Sequence, residues 1–433
     1  MRANTGDAPT TRRAGPPSRM LPRDSCTMIA SADQLGAKHR RLAEVAAIGF
    51  VALILSAAMV QVVAPSRNEA IDFFRDYSSA RNLLSGKPLY APLEQSLREY
   101  LKPAPPVKAG YNGHPPASVL LVIPFARTDY VHATMLWGWA SLIALGVSLV
   151  IMVSELNHTP SVEEWLLLLV ALTVWPPLWL HILYGQFGLV LLLLITLAWR
   201  AGRRELDAQA GCFIGLAAAI KIFPAALLLY FAMRRRWRAV VFGGVSFLVV
   251  NAVTLPVVGF RAYQDYLAFG TPQLAAFYAY ARNSSLTGFF SRLFSPPLSQ
   301  SLILISSVVI LATIWRIASR KRSDFDGEFG LMVTGTLLLC PLTWDHSFVL
   351  LLLPLAVCIT RFSDAGVWRY LLIGSWILMA VPEPVLPGFS GTGTHSTIQS
   401  LSILSVNFYG LLACFIAQMR FPAAPRAKSN ESA

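Results

Sequence analysis

Apolar stretches long enough to cross a bilayer recur along this chain and constrain its fold more than any other feature. A membrane-spanning helix needs about 20 predominantly apolar residues, and about ten stretches approach that length. They lie near residues 45–64, 131–153, 165–183, 187–200, 238–257, 300–317, 329–343, 346–361, 368–381 and 400–418. Hydrophobic residues make up 55% of the chain and charged residues 14%, which excludes a soluble domain of this length. The pattern predicts an all-α polytopic membrane protein.

The basic residues lie at the ends of these stretches, as expected for the cytoplasmic ends of membrane helices. Basic runs begin at Arg200, Arg234, Arg316 and Arg420. This placement, rather than a nucleic-acid partner, accounts for the net charge of +13. With the N-terminus in the cytoplasm, about ten spans put every basic run and both termini on the cytoplasmic side of a plasma (inner) membrane.

Two apolar segments do not fit as full spans. Residues 117–126 are too short to cross alone, and residues 211–232 are interrupted by Lys221 and Pro224. Basic runs flank both ends of 211–232, so we expect this segment to enter and leave the membrane on the same side. About 22 helical residues measure roughly 33 Å, so the segment is predicted to be a broken, re-entrant hairpin that bends near "KIFP". Residues 117–126 are predicted to be a half-helix that either packs against the protein or receives a lipid tail.

The chain ends predict two cytoplasmic tails around one membrane domain. Residues 1–44 are polar, basic and Pro-containing, which predicts a disordered tail, with Met20 and Met28 as alternative starts; residues 420–433 form the second tail. The first apolar stretch is too long for a signal-peptide core and lacks a small-residue cleavage site, so we expect a signal anchor. The five cysteines show neither a disulfide framework nor metal-ligand spacing, and we expect no metal.

The remaining polar motifs all fall on the predicted external side. "DFFRDYSSARNLLSGKPLY" (72–90) follows the first apolar stretch, and the regions 184–187, 260–299, 342–347 and 382–396 face the same compartment. This one-sided distribution is typical of a membrane enzyme whose active site opens outward. A secondary transporter of an amphiphile, the alternative from another class, would carry polar loops on both faces and matched charges in two halves.

Six motifs, in order and spacing, resemble glycosyltransferase family 87, the polyprenol-phosphate-mannose-dependent mannosyltransferases. They are "DFFRDYSSARNLLSGKPLYAP" from Asp72, "HPP" from His114, "GQ" from Gly185, "GLAAAIKIFP" from Gly215, "NSSL" from Asn283 and "PLTWDH" from Pro341. The resemblance covers nearly the whole chain after residue 45. It implies a GT-C type transmembrane bundle over 45–419 with an external active-site loop, an inverting mechanism, a lipid-linked sugar phosphate as donor, and no cofactor beyond that donor.

Asp72 is the predicted catalytic base. An inverting transfer to an alcohol needs a carboxylate that takes the acceptor proton, and Asp72 occupies the matching family position just outside the membrane. The alternative interpretation is that Asp72 caps the helix that follows it or pairs with Arg75. Asp76 lies one helical turn further on, and we expect it to support Asp72 from behind or to face solvent.

Cationic and hydrogen-bonding side chains are the candidates for holding the leaving phosphate, because they stabilise developing negative charge best in a water-poor site. Candidate donor- or substrate-binding residues are His346, Lys221, Arg282, Asn283, Gln186, Tyr77 and Trp344. The resemblance implies a histidine at position 346, often with a histidine or aromatic neighbour, whereas this chain has Ser347. Trp344 is placed where a sugar ring could stack.

Three of these candidates, and His114 beside them, also have a plainer interpretation. His346 could cap a helix end, and Arg282 could be a loop charge. Lys221 could form a structural ion pair, since an unpaired lysine at the bilayer centre costs about 2.5–3.5 kcal/mol. His114 is interpreted as structural, because "HPP" indicates a rigid turn.

The sequence therefore predicts an integral membrane enzyme that moves a hexose, most consistently mannose, from a polyprenyl phosphate to a glycan or glycolipid acceptor outside the cytoplasm. The nearest alternative is a transferase for another lipid-linked sugar, such as a pentose or an aminosugar. The expected partners are the lipid-linked donor, the acceptor and membrane lipids, with no nucleic acid.

Overall fold

The computed structural model describes residues 72–101, 110–156, 172, 175–320, 324–381 and 395–421. The predicted first tail and first span, nearly all of the second tail and most of the 382–396 loop lie outside these residues. Within the described ranges every regular element is a helix and none is a strand. This confirms the all-α prediction for that part of the chain.

The described residues form seventeen α-helices. In chain order they are α1 (Phe73–Leu84), α2 (Leu93–Tyr100), α3 (Val119–Val122), α4 (Tyr130–Glu155), α5 (Pro176–Tyr184), α6 (Gly188–Arg203), α7 (Asp207–Ile220), α8 (Leu227–Met233), α9 (Trp237–Val258), α10 (Phe260–Asp265), α11 (Leu286–Leu293), α12 (Leu298–Ala318), α13 (Phe325–Leu339), α14 (Leu352–Ile359), α15 (Trp368–Met379), α16 (Thr397–Leu401) and α17 (Val406–Gln418). Short 3₁₀ turns flank or join several of them, among them Pro116–Ser118, Phe223–Ala226 and Asp345–Leu351.

Four segments of the described chain are long and apolar enough to cross a membrane. They are Tyr130–Glu155, Trp237–Val258, Leu298–Ala318 and Thr397–Gln418, and α5 with α6 makes a fifth if this pair, bent by 114°, is one span. Some predicted spans are shorter helices: α15 has 12 residues, about 18 Å, against a hydrocarbon core of about 30 Å. The count of about ten spans therefore stays a prediction.

The long helices α9 and α12 turn apolar side chains away from the rest of the protein. Leu248 on α9 is 65% exposed and Leu304 on α12 is 66% exposed. Such faces are unfavourable in water and suit contact with lipid chains. They support a multi-pass membrane protein.

The segment 117–126 forms a short, broken helical piece, as the half-helix prediction requires. It consists of α3 between the 3₁₀ turns Pro116–Ser118 and Phe125–Arg127. Val122 and Ala126 are fully buried within the protein. This burial favours the packing interpretation over a resting place for a lipid tail.

The chain bends back near "KIFP", where α7 and α8 form a hairpin over residues 207–233. The backbone is extended at Lys221, and a 3₁₀ turn that contains Pro224 leads into α8. The two ends of the hairpin meet, because the Arg236 side chain donates to Asp207 Oδ1 at 2.7 Å and to the carbonyl oxygen of Gly202 at 2.8 Å. The hairpin thus starts and finishes at one end of the bundle, with Lys221 at its tip.

Glycines allow α7 to lie directly against α9. A Cβ atom added at Gly211 would lie 2.1 Å from the carbonyl oxygen of Ala239, and one added at Gly215 would lie 2.3 Å from that of Gly243. Any side chain at either position would force the two helices apart. Small residues spaced four apart are a common means of close helix packing in membranes, and here they hold the first limb of the hairpin.

Polar residues concentrate at the two opposite ends of α6 and α7. The basic end carries Glu155 with Arg200, Asp207 with Arg236, and Asp324 with Arg361 as ion pairs. The other end, here called the cavity end, carries Gln186 just before α6 and Lys221 just after α7. A helix the length of α6, 16 residues, measures about 24 Å, so most of a bilayer thickness separates the two ends.

We predict that both flanks of the hairpin face the cytoplasm. Single cysteines at the exposed turn residues Glu205 and Arg235, in a cysteine-depleted background, should react with a membrane-impermeant maleimide only from the cytoplasmic side of sealed vesicles. A cysteine at the exposed Glu99, near the cavity end, is the control and should react only from the other side. Reaction of positions 205 and 235 from opposite sides would contradict the hairpin topology.

Candidate active site

A cavity of about 340 Å³ opens at the cavity end. It is lined by Asp72, Arg75, Asn112, Gly113, His114, Tyr184, Gln186, Lys221, Leu274, Phe277, Tyr280, Arg282, Leu342, Trp344 and His346. Most of these residues lie where a helix begins, ends or bends, so their side chains project into space that no continuous helix fills. Six predicted site residues meet here: Asp72, Gln186, Lys221, Arg282, Trp344 and His346.

Asp72 immediately precedes α1, but it does not cap that helix. Its side chain makes no capping hydrogen bond. Instead, Asp72 Oδ2 accepts a hydrogen bond from Gln186 Nε2 at 2.7 Å. The capping interpretation of Asp72 is therefore wrong, and its carboxylate is directed to the cavity.

Gln186 links Asp72 to Lys221. Its Oε1 accepts from Lys221 Nζ at 2.9 Å while its Nε2 donates to Asp72. This amide orientation is required, because an ammonium group only donates and an ionised carboxylate only accepts. The link fixes one carboxylate oxygen of Asp72 and leaves the other available to a ligand.

The sharp turn between α5 and α6 brings Gln186 to this position. Gly185 adopts a left-handed conformation with φ of 63°, which glycine tolerates without strain. A Cβ atom there would lie 2.6 Å from Cβ of Phe73, the first residue of α1. The "GQ" motif therefore combines a glycine that permits close approach with an amide that reaches Asp72.

Lys221 enters the cavity without a carboxylate partner. Among the described residues it forms no ion pair within 4 Å, and the neutral amide of Gln186 is its hydrogen-bond acceptor. This disfavours the structural ion-pair interpretation. An ammonium group in this setting retains donors for an anionic ligand.

His346 and Arg282 lie close to each other around Tyr184. Arg282 Nη1 donates to the Tyr184 hydroxyl at 3.1 Å, and the rings of Tyr184 and His346 meet edge to face with centroids 6.0 Å apart. His346 is buried, and its Nε2 has no hydrogen-bond partner among the described residues. A buried polar atom without a partner is costly, so this nitrogen is suited to meet a ligand.

Trp344 borders the cavity within an aromatic cluster. Its ring meets those of Phe277 and Tyr280 edge to face, with centroid distances of 6.0 and 5.2 Å. All three residues line the cavity. The position agrees with the predicted stacking of a sugar on Trp344, which stays a prediction.

Two predicted binding residues do not reach the cavity. The Tyr77 hydroxyl donates to the Thr128 carbonyl at 3.0 Å, and burial raises the pKa of this phenol, which keeps it a donor. Asn283 is fully buried; its Nδ2 donates to the carbonyl of Pro341 at 2.8 Å and its Oδ1 accepts from Thr343 N at 3.1 Å. Asn283 therefore joins the loops that carry Arg282 and Trp344, and neither Tyr77 nor Asn283 lines the cavity.

Asp76 lies behind the cavity wall, and His114 reaches the wall itself. Asp76 is 3% exposed, and its Oδ1 lies 2.8 Å from His114 Nδ1. The supporting position predicted for Asp76 agrees with this burial, but the solvent-facing alternative does not. Sequence reasoning missed the cavity positions of His114, Arg75 and Tyr184. For His114 the signals were its place in the "HPP" motif and the need of a buried Asp76 for a partner.

The described residues contain no group of three or more His, Cys, Asp or Glu side chains that could hold a metal ion. Four cysteines, Cys212, Cys340, Cys358 and Cys414, are free. The polar groups of the cavity are accordingly one carboxylate, three cationic side chains, two imidazoles and several hydroxyl and amide groups.

A helical bundle with lipid-facing apolar helices and a charged cavity at one end defines this chain as a multi-pass membrane protein with a polar ligand site. The sequence profile of glycosyltransferase family 87 matches residues 113–343, more than half of the 433 residues. The chain belongs to this family, which confirms the resemblance inferred from the motifs.

Curated relatives carry more specific names. The chain is 27% identical over 245 residues to a polyprenol-phosphate-mannose-dependent alpha-(1-2)-phosphatidylinositol pentamannoside mannosyltransferase of Mycolicibacterium smegmatis, a match that covers 55% of this chain and 58% of the relative. A Mycobacterium tuberculosis protein of the same name is 29% identical over 256 residues, or 56% of this chain and 57% of the relative. A second M. tuberculosis relative, named for phosphatidylinositol mannoside, is 26% identical over 298 residues, or 63% of this chain and 68% of the relative.

The chain thus spans 58% and 57% of the length of the first two relatives. No solved structure matches the chain. Family membership therefore rests on sequence, and the geometry of the cavity comes from this chain alone.

Proposed function

We propose that this protein is an inverting membrane glycosyltransferase that moves mannose from a polyprenyl-phosphate donor to a glycan or glycolipid acceptor. The observation that carries the proposal is the cavity itself, where Asp72 is fixed by Gln186 and shares the lining with cationic and imidazole groups. Family membership supports glycosyl transfer. Mannose and the polyprenyl carrier are supported by the names of the relatives, which also suggest a phosphatidylinositol mannoside as the acceptor class.

Asp72 acts as the general base in this mechanism. As the acceptor oxygen approaches the anomeric carbon of the sugar, its proton passes to the Asp72 carboxylate. The bond from acceptor oxygen to carbon forms on the face opposite the phosphate, and the bond from carbon to phosphate oxygen breaks with its electron pair. The products are the glycosylated acceptor with inverted configuration and a polyprenyl phosphate.

The cationic side of the cavity stabilises the departing phosphate. Arg282 and Lys221 supply positive charge, and His346 supplies a buried ring nitrogen without a protein partner among the described residues. Fixed donors of this kind act without reorganisation when charge develops on the leaving group. Three of the four charged side chains that line the cavity are cationic, which suits an anionic donor.

The cavity end is proposed to face the extracytoplasmic side of the plasma membrane. The arginine-rich end of α6 lies a helix length away from the cavity, and basic residues are retained on the cytoplasmic side. A polyprenyl tail could then remain in the bilayer while its phosphate and sugar enter the cavity. With an even number of spans, as predicted, both termini are proposed to lie in the cytoplasm, and this orientation agrees with the labelling prediction for the hairpin.

A membrane assay with several labelled donors tests the proposal. Vesicles that contain the full chain would receive radiolabelled polyprenyl-phosphate mannose, glucose, pentose or N-acetylaminosugar together with a glycolipid extract, and lipid-extractable product would be counted. We expect label to be transferred from the mannose donor and not in matched vesicles that carry Asp72→Asn. Transfer from the pentose or aminosugar donor alone would identify the alternative transferase, and movement of intact donor across sealed vesicles without transfer would identify a transporter.

A further inference from the structure

Asp76 and His114 form a carboxylate–imidazole pair beside the cavity that the mechanism above does not use. His114 Nδ1 lies 2.8 Å from Asp76 Oδ1 and 3.1 Å from Oδ2. Asn112 Nδ2 donates to the same Oδ1 at 3.0 Å. A buried carboxylate needs such partners. Both partners also line the cavity, and of the two only the imidazole can carry a positive charge.

The position of the His114 ring is closely defined. Its backbone N–H donates to Asn112 Oδ1 at 3.0 Å, and its carbonyl oxygen accepts from the Tyr90 hydroxyl at 2.6 Å. Phe187 meets the ring edge to face, with centroids 5.0 Å apart. Two prolines follow it in the chain and restrict the backbone further. The ring is therefore preorganised rather than free to rotate.

The pair leaves one imidazole nitrogen for a ligand. An ionised carboxylate only accepts hydrogen bonds, so Nδ1 carries the proton that points to Asp76. Nε2 has no hydrogen-bond partner among the described residues, and the side chain retains 19% exposure. When both ring nitrogens are protonated, Nε2 becomes a charged donor directed away from Asp76.

The surrounding charges favour an anion at Nε2. Arg75, Lys221 and Arg282 line the same cavity, and Asp72 is the one carboxylate among the described lining residues. Asp72 and Asp76 lie one helical turn apart, about 5–6 Å between Cβ atoms.

We propose that His114 is a phosphate-binding residue of this enzyme: its Nε2–H donates to a non-bridging oxygen of the polyprenyl phosphate, and Asp76 is the positioning residue that holds the ring. This inference rests on the proposed function and extends it to a second imidazole. His114 then shares the phosphate with the cationic side chains, while Asp72 alone serves the acceptor proton. In the complex the ring donates at both nitrogens, to Asp76 on one side and to phosphate on the other.

Product binding tests this role apart from turnover. The full chain in lipid nanodiscs would be titrated with a long-chain polyprenyl monophosphate and, separately, with the uncharged polyprenol of the same length. We expect His114→Gln to weaken binding of the phosphate by at least about 10-fold, as for loss of one charge-assisted hydrogen bond, with polyprenol binding unchanged. His132→Gln is the matched control, because His132 also pairs its Nδ1 with an aspartate but is 64% exposed outside the cavity; it should bind as the wild type does.

The role of Asp76 is tested by a double-variant cycle. Asp76→Asn should weaken phosphate binding less than His114→Gln does, and the double variant should bind no worse than His114→Gln alone, because Asp76 acts through the ring. Additive losses would overturn the positioning role.

Two outcomes would overturn the phosphate role of His114. Unchanged phosphate binding in His114→Gln together with lost transfer would make the residue a base. Equal losses of phosphate and polyprenol binding, with reduced thermal stability, would make it a structural residue. Failure of the wild-type protein to bind the phosphate at all would instead count against the proposed function.

Discussion

Asp72→Asn is expected to lower the rate of sugar transfer by about 10²- to 10⁴-fold, the usual contribution of a general base, while donor binding stays at the wild-type level. Asparagine keeps the size of the side chain and can still accept the hydrogen bond that Gln186 donates at 2.7 Å. The substitution therefore removes basicity and leaves the geometry of the link intact. Initial rates below donor saturation, at equal membrane abundance, measure the effect.

Asp76→Asn is the matched comparison, since it lies one turn along the same helix and is buried behind the wall. We expect it to cost much less in turnover, because this carboxylate does not line the cavity. An active Asp72→Asn protein beside an inactive Asp76→Asn protein would move the base one turn along α1. Full activity in both would remove carboxylate chemistry from this helix.

His346→Ala is expected to lower turnover by about 10²- to 10³-fold, the typical cost of losing one fixed donor to developing negative charge. Expression and detergent stability should stay near the wild-type level, because Nε2 of His346 makes no hydrogen bond with the described protein and its ring borders an existing cavity. Turnover and thermal unfolding of the same preparation measure the two quantities. His132→Ala, at an exposed position, is the control and should change neither.

The reverse pattern for His346→Ala would be equally informative. Wild-type turnover with lowered stability would make His346 a structural residue at the start of its 3₁₀ turn. In that case the other groups that line the cavity, among them Arg282 and Lys221, would have to stabilise the leaving phosphate without His346.

Much of the candidate site could be predicted because its residues interrupt apolar segments of the sequence. Lys221 and Pro224 break an apolar segment between two basic runs, and that pattern alone indicates a hairpin with a polar tip. Gln186 follows a glycine between two apolar stretches, and His346 begins another. At each interruption a helix ends or bends, and a polar side chain then projects at one end of the bundle. Residues far apart in sequence therefore meet in a single cavity.

The direction of individual side chains could not be predicted in the same way. Tyr77 is five residues after Asp72, about 140° around a helix from it, so it packs against the Thr128 carbonyl instead of the cavity. Asn283 adjoins Arg282, but its amide is occupied by two backbone partners across the loops. The pairing of Asp76 with His114 joins positions 38 residues apart, and no periodicity in the sequence indicates it.

Apolar length alone also does not show whether a span is one straight helix. A run of apolar residues indicates burial in lipid or in protein, but it does not indicate whether one helix continues through the whole run. The sequence predicts two neighbouring spans near residues 165–183 and 187–200. In the structure α5 and α6 meet there at a bend of 114°, which composition alone does not indicate. Bends of this kind depend on packing, as at Gly185, where the backbone approaches Phe73.

The hairpin makes the two faces of the membrane mechanically dependent on each other. Lys221 lies at the tip of the hairpin, directly after α7. Arg236 holds the start of α7 through its hydrogen bond to Asp207, and α7 packs closely against α9 at Gly211 and Gly215. A disturbance at the start of α7 is therefore transmitted, by rigid displacement of this helix, to the ammonium group about 20 Å away. We therefore expect substitutions at Arg236 or Gly211 to lower product formation as much as substitutions of cavity residues do, although both residues lie outside the cavity.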